Sequence, residues 1–379
     1  VESVKSLTAA VSMGVIDKDV FNQLGTCQYK NKEYVSAIES LSRAINAGIN
    51  TKEVFLYKGY SEVIQKDNDN AINDLEKAVA LGANEREAFK NLGDLYFIKN
   101  DFQAAVKNYD KAIAAGMNDA VVFNNRGKAK SNLKDFQGSV PDFDQAIQLK
   151  PDYGKAFLNR GTSKYVLNDF AGATIDLEKA KATEGESPDL IKMLGVGYYM
   201  LGKKDLALLN LEKSFKAGEK DSKVALYTGY LRFENNDFKG TSDALTAAEA
   251  AGEKEDDLFL KRGKAFFQQK NYAATIVDLE KTTAKNKADL AAFEALAMSY
   301  LLTQKEKEAL PHLEKAASLE SKNKEIYFHL GNGRFKLNNY AGAIEAYDKS
   351  IALGTNDEVI YNNRGKAKLN AGLVKESEI

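Results

Sequence analysis

The side chains that most readily do chemistry are few in this chain. Its 379 residues include two histidines, His312 and His329, and one cysteine, Cys27. A structural zinc site needs four nitrogen or sulfur ligands and a catalytic one needs three. The histidines lie on separate stretches with no cysteine near either, so no metal or haem site is expected. Two glycine pairs, Gly195-Val196-Gly197 and Gly331-Asn332-Gly333, have the outline of a nucleotide-binding loop. Such a loop works between a strand and a helix N-terminus, and no strand-like run precedes either pair. No serine, histidine and acid suggest a nucleophilic set, and the carboxylates are scattered rather than paired in phase. The residues read as a chain with no catalytic group, cofactor or metal, and Cys27 as a small packing residue.

What is spaced for chemistry is charge. Arg126, Arg160 and Arg262 are each followed sixteen positions later by an aspartate, Asp142, Asp176 and Asp278, and Lys58 is followed likewise by Asp74. Where no basic residue stands first, the second position holds Ser40, Asn108, Asn210, Ala244, His312 or Ala346. Paired change of this kind implies contact. These charges are therefore expected to be structural ion pairs inside one folded repeat. The competing reading is a basic groove for an acidic partner. Lys128, Lys264 and Lys366, two positions beyond Arg126, Arg262 and Arg364, are the freer cations for it.

The elements that must hold these residues follow from a repeat. Glycine recurs at one fixed interval, at Gly25, Gly59, Gly93, Gly127, Gly161, Gly195, Gly229 and Gly263, skips Ala297, and resumes at Gly331 and Gly365. Four positions before it stands an aromatic in most repeats, as at Phe55, Phe89 and Phe123; twelve after it comes a small residue, as at Ala37, Ala71 and Ser377; sixteen after it comes a large one, as at Leu41, Tyr109 and Phe143. Steps of three and four place apolar residues on one stripe of a helix. Each repeat is thus a pair of antiparallel helices joined by a short polar turn such as Lys99-Asn100-Asp101-Phe102. The small residues lie where the two helices cross. Glycines such as Gly48, Gly82 and Gly116 end the second helix, in the place where a left-handed residue is common.

This period, with its aromatic–Leu–Gly, Tyr, Ala, Phe and Pro positions, resembles the tetratricopeptide repeat. Residues 86–119 and the stretch from Asn125-Arg126-Gly127 to Pro151 carry the likeness well. The resemblance implies an all-α fold, a right-handed α-solenoid superhelix of helix-turn-helix hairpins. The expected organisation is a second helix of a truncated preceding repeat over 1–16, ten full 34-residue repeats over 18–357, and a truncated eleventh over 358–379. It further implies a concave surface lined by first helices that holds a peptide or another protein. Chaperone-binding members grip a C-terminal carboxylate with a lysine and an asparagine four positions apart. Here Lys90 is followed by Asp94, and Asn332 is preceded by Phe328, so that clamp is absent.

On helical spacing, the positions two before and one, four and five after each glycine should face the concavity. Two sets stand out. Asn91, Asn125 and Asn159 form a row, repeated by Asn363, whose amides could bind the backbone of an extended peptide. Met193, Val196, Tyr199 and Met200, then Tyr227, Tyr230 and Phe233, form an apolar and aromatic patch, of the kind that anchors partners.

Composition limits the partners. The 53 basic and 54 acidic residues leave a formal net charge of -1, without the basic footprint of a nucleic-acid binder. No apolar run approaches the ~18 residues that span a bilayer. The expected function is a non-catalytic scaffold for a protein or extended peptide. Alternatives are a substrate-presenting array of a larger enzyme, such as a glycosyltransferase, or a structural element of a bacterial envelope or secretion assembly. End-to-end self-association at the truncated ends is compatible with the pattern, as are both cytoplasm and bacterial periplasm.

Overall fold

The computed structural model describes residues 2–285 and 289–373, which form 22 helices and, among the described residues, no strand. The chain divides into two bodies, one ending at Met193 and one beginning at Leu194. The first opens with α1 (Glu2–Ser12). Five hairpins follow: α2 (Lys18–Lys30) with α3 (Tyr34–Asn46), α4 (Lys52–Gln65) with α5 (Asn68–Ala80), α6 (Arg86–Ile98) with α7 (Phe102–Ala114), α8 (Ala120–Asn132) with α9 (Phe136–Leu149), and α10 (Gly154–Val166) with α11 (Phe170–Glu184). The division falls inside α12 (Pro188–Met200).

The second body continues with α13 (Lys204–Lys216). Its hairpins are α14 (Ser222–Glu234) with α15 (Phe238–Ala250), α16 (Asp256–Gln268) with α17 (Tyr272–Thr283), α18 (Leu290–Leu302) with α19 (Glu306–Ser318), and α20 (Lys324–Lys336) with α21 (Tyr340–Ala352). A last first helix, α22 (Glu358–Asn370), follows. The second helix expected to begin near Ser377 lies outside the described residues. Each body is a helical-repeat solenoid, in which a hairpin buries one face on the next.

The boundaries recur because the capping chemistry recurs. Asp17, Thr51, Asp119, Asp221, Asp289, Asn323 and Asp357, spaced by whole repeats, each accept a backbone N–H of the first turn that follows. Such a side chain satisfies amides the helix cannot. Inside the hairpins the chain turns through a left-handed residue, Asn100 at φ 61° and Asn168 at φ 61° among them. An aromatic pair closes the same turn edge to face, with centroids 5.3 Å apart for Phe97 and Phe102, 5.7 Å for Tyr165 and Phe170, and 5.4 Å for Phe335 and Tyr340.

The helix crossing explains the glycines. A Cβ on Gly93 would meet the Tyr109 ring at 2.6 Å, and one on Gly263 would meet Leu279 at 2.6 Å. The small residues twelve after the glycines, Ala71, Ala105, Ser139, Thr241 and Ala343 among them, are fully buried at that crossing. So are Leu41, Leu75, Phe143, Leu211 and Leu245, each worth about 1.5–3 kcal/mol on burial. Where Ala297 replaces glycine, it shares a buried cluster with Leu313.

Candidate functional site

The charged positions come together inside the hairpins. Arg126 donates from Nε to Asp142 at 3.1 Å, Arg160 to Asp176 at 2.8 Å and Arg262 to Asp278 at 2.7 Å. Lys58 bonds Asp74 in the equivalent place. Arg262 is 5% exposed and Asp278 2%, so the pair is shielded at the crossing of α16 and α17. The guanidiniums are thus held in the hairpins and are not splayed as a basic groove.

Each arginine also reaches backwards. Arg126 bonds Asp110 at 2.7 Å, Arg160 bonds Asp144 at 2.6 Å, and Arg364 bonds Asp348 at 3.0 Å, always sixteen positions earlier on the preceding second helix. Arg262 reaches Glu249 at 2.6 Å, and Thr246, sixteen positions earlier, at 3.4 Å. These contacts were not expected from the sequence, although the same spacing run in the other direction would have found them. Each arginine therefore ties its own hairpin to the one before it. The ring three positions earlier lies under the guanidinium, at 5.6 Å for Phe123 and 5.5 Å for Phe157.

The asparagine row is partly engaged within the protein. Asn125 donates Nδ2 to Asp94 at 3.2 Å, Asn159 to Asn124 at 2.9 Å, and Asn363 to Asn332 at 3.1 Å. Their amides stitch one first helix to its predecessor, because those helices lie close enough for a short side chain to reach. Tyr109 and Tyr347 donate their hydroxyls to the same acceptors, Asp94 at 2.7 Å and Asn332 at 2.8 Å. Asn91 is half-buried and makes no such bond.

The aromatic patch is corrected in part. Met193 is 8% exposed and Tyr230 7%, and Val196 is buried as well, so none is an open anchor. Tyr230 donates its hydroxyl to Glu255 at 3.2 Å under the Lys261 ammonium. Burial, with Asp257 and Glu255 beside it, pushes that phenol far above its ordinary range. Tyr199 and Tyr227 remain half-exposed and stack face to face with centroids 4.0 Å apart. Lys128 is exposed, with its ammonium 5.4 Å from the Phe97 ring, whereas Lys264 is paired with Asp289 at 2.7 Å.

Two recesses in the second body open among first helices. One, of about 410 Å³, lies at α18, α20 and α22, with Leu301, Phe328, His329, Asn332, Lys336 and Lys366 in its lining. The other, of about 320 Å³, is lined by Phe233, Lys264, Phe267, Glu294 and Met298 of α14, α16 and α18. In the first body Tyr29 stands 5.0 Å from Tyr57 and 6.2 Å from Tyr60, all half-buried. His329, Met298, Phe267, Tyr57 and Tyr60 occupy the very positions the spacing assigns to the concave face. Their types differ from repeat to repeat, so no pattern in the sequence marks them out.

The remaining reactive side chains sit in structural settings. His312 lies between Tyr300 and Phe293, with Nε2 3.2 Å from Glu280, and burial lowers its pKa. Burial likewise lowers that of His329. Among the described residues no three His, Cys, Asp or Glu side chains are grouped to hold a metal ion, and no helix is long and apolar enough to cross a membrane.

Tetratricopeptide-repeat family models match residues 58–120 and 294–358, and residues 120–153. Among solved structures, YrrB, described as a TPR protein with an unusual peptide-binding site, is 21% identical over 50% of this chain and 98% of its own, with a TM-score of 0.41. MamA is 22% identical over 42% of this chain and 94% of its own, with a TM-score of 0.39. The C-terminal part of a TPR repeat-containing protein from Cytophaga hutchinsonii is 18% identical over 69% and 93%, with a TM-score of 0.39. No curated protein sequence matches significantly. Residues 58–153 and 294–358 are thus matched as tetratricopeptide repeats, and the 34-residue period carries the same pattern along the rest of the chain.

Proposed function

We propose that the protein holds an extended peptide or protein segment on the face built by its first helices, without itself catalysing a reaction. The observation that carries this reading is the pair of recesses in the second body, whose linings come mainly from α14, α16, α18, α20 and α22. Volumes near 300–1,000 Å³ with apolar walls and a few polar groups are the range of ligand-binding clefts. Phe267 and Met298 in one, and Phe328 and Leu301 in the other, supply apolar contact. Lys336 and Lys366 supply charge at the rim of the larger. Tyr199, Tyr227, Lys128 and Asn91 are the expected contacts that stay accessible.

The test is to select binders from a displayed peptide library with the whole chain, then measure affinity by titration calorimetry. Phe328→Ala or Tyr227→Ala should cost ~2 kcal/mol or more at an anchor position. Asn91→Ala should cost about 0.5–1.5 kcal/mol, the scale of one hydrogen bond. Ile175→Ser and Leu209→Ser, exposed on second helices α11 and α13, should leave affinity unchanged. Loss of binding confined to the second-helix variants would overturn the proposal.

A further inference from the structure

Hairpin α4–α5 departs from its neighbours in one buried charge. In α8–α9 the aspartate lies between two cations, Asp142 between Arg126 and Lys130, the latter at 2.8 Å. In α10–α11 Asp176 lies between Arg160 at 2.6 Å and Lys164 at 2.8 Å. Hairpin α4–α5 keeps the aspartate, Asp74, and one cation, Lys58, but Glu62 stands where the second cation belongs, three positions after the repeat glycine. The Lys58 ammonium bonds Glu62 Oε1 at 2.5 Å and Asp74 Oδ2 as well. Glu62 is 1% exposed, and its Oε2 has no hydrogen-bond partner.

Two carboxylates sharing one ammonium in a mostly buried site carry an uncompensated negative charge. Desolvation and the like charge both oppose it. One proton removes the excess and gives Oε2 a hydrogen. The other helices packed on α4 bring no hydrogen bond or ion pair to Glu62: Tyr29 of α2 lies tilted against Tyr57, Arg43 of α3 lies over Phe21, and Glu87 of α6 pairs with Arg86. Lys58 and Asp74 are the charged groups acting on it.

We infer that Glu62 is a proton-operated catch on hairpin α4–α5: with a proton taken from water onto its carboxyl it seals the hairpin, and as the bare carboxylate it loosens that hairpin selectively. Burial, reinforced by Asp74 and opposed by Lys58, pushes the Glu62 carboxyl up from 4.5 to about 7. The folded value lies above the unfolded one, so the stabilisation is whole below about 4.5 and is lost as pH rises through about 7. Between about pH 6 and pH 8 the opening equilibrium of the hairpin should increase about tenfold. The catch lies on the helix that carries Tyr57 and Tyr60, so it governs how firmly that part of the first-helix face is held.

Hydrogen exchange followed by mass spectrometry on the whole chain tests this, with rates corrected for intrinsic exchange. Peptides covering α4 and α5 should lose about tenfold in protection from pH 6 to pH 8. Peptides covering α10 and α11, where Lys164 occupies the place of Glu62, should not change. Glu62→Gln should abolish the difference and leave α4–α5 as protected at high pH as at low. Equal protection of α4–α5 at both pH values in the unmodified chain overturns the inference, whatever the variant does. So does a pH dependence that persists in Glu62→Gln.

Discussion

Replacing Asp278 by alanine strips the most enclosed arginine of its strongest partner. Arg262 would lose two bonds, from Nε at 2.7 Å and from Nη2 at 2.9 Å, in a site where its own exposure is 5%. A buried charge left without its counter-ion costs about 3–5 kcal/mol. Glu249 at 2.6 Å would still hold the guanidinium, but that carboxylate is 37% exposed and its attraction is screened. The expected loss is therefore near the lower end, about 3 kcal/mol. Removing both charges, as Arg262→Met with Asp278→Leu, should recover most of it, because an apolar pair of similar volume replaces a buried ion pair at little net cost. The control is Asp110→Ala. Asp110 is the exposed partner of Arg126, with its side chain 55% open to solvent. Asp142 remains in place there, so the loss should stay under about 1 kcal/mol. Urea unfolding followed by far-ultraviolet circular dichroism gives the totals. Hydrogen exchange over α16 and α17 shows whether the loss is local, since repeat arrays can open in parts. If Asp278→Ala costs no more than Asp110→Ala, burial is not what gives these pairs their strength.

Further expectations concern the backbone and one histidine. A Cβ on Gly93 meets the Tyr109 ring at 2.6 Å, so Gly93→Ala should destabilise by about 1–3 kcal/mol in thermal melts. Gly365→Ala meets nothing within 4 Å and should be neutral or stabilising in the same melts. Glu320 holds φ 58° where other repeats place glycine, so Glu320→Gly should stabilise by about 1 kcal/mol in urea unfolding. His312→Asn should flatten the acid side of the stability profile. Burial lowers the histidine pKa below its ordinary 6.5, so its contribution is whole above that value and falls as pH drops through the folded one, which melting temperatures near pH 5 and pH 7 can resolve.

The fold was legible because pitch and helical stripe are one-dimensional signals that survive in a single sequence. The arginine–aspartate positions were legible for a related reason: both ends of each pair vary together inside the same repeat. The face to which a residue belongs could also be read from spacing. Whether a neighbouring side chain lies within reach could not. Asn125 and Asn159 fall on the assigned face, but Asp94 and Asn124 of the preceding helices take up their amides. Tyr230 and Met193 occupy assigned positions as well, yet adjacent helices close over them. The distinction depends on small differences in interhelical distance, which no spacing rule contains.

The double attachment of each arginine has a bearing on how such a chain can change in length. Loops are ordinarily where insertions are absorbed without harm. Here Arg126 and Arg160 each engage one carboxylate sixteen positions ahead and another sixteen behind, on two different helices. A single residue added within one of these helices would rotate the part beyond it by about a hundred degrees relative to those fixed points. It would then break bonds in two hairpins at once. Whole 34-residue segments, by contrast, can be gained or lost with every partner kept in register, which makes the segment, rather than the single helical residue, the natural step by which this chain grows or shrinks.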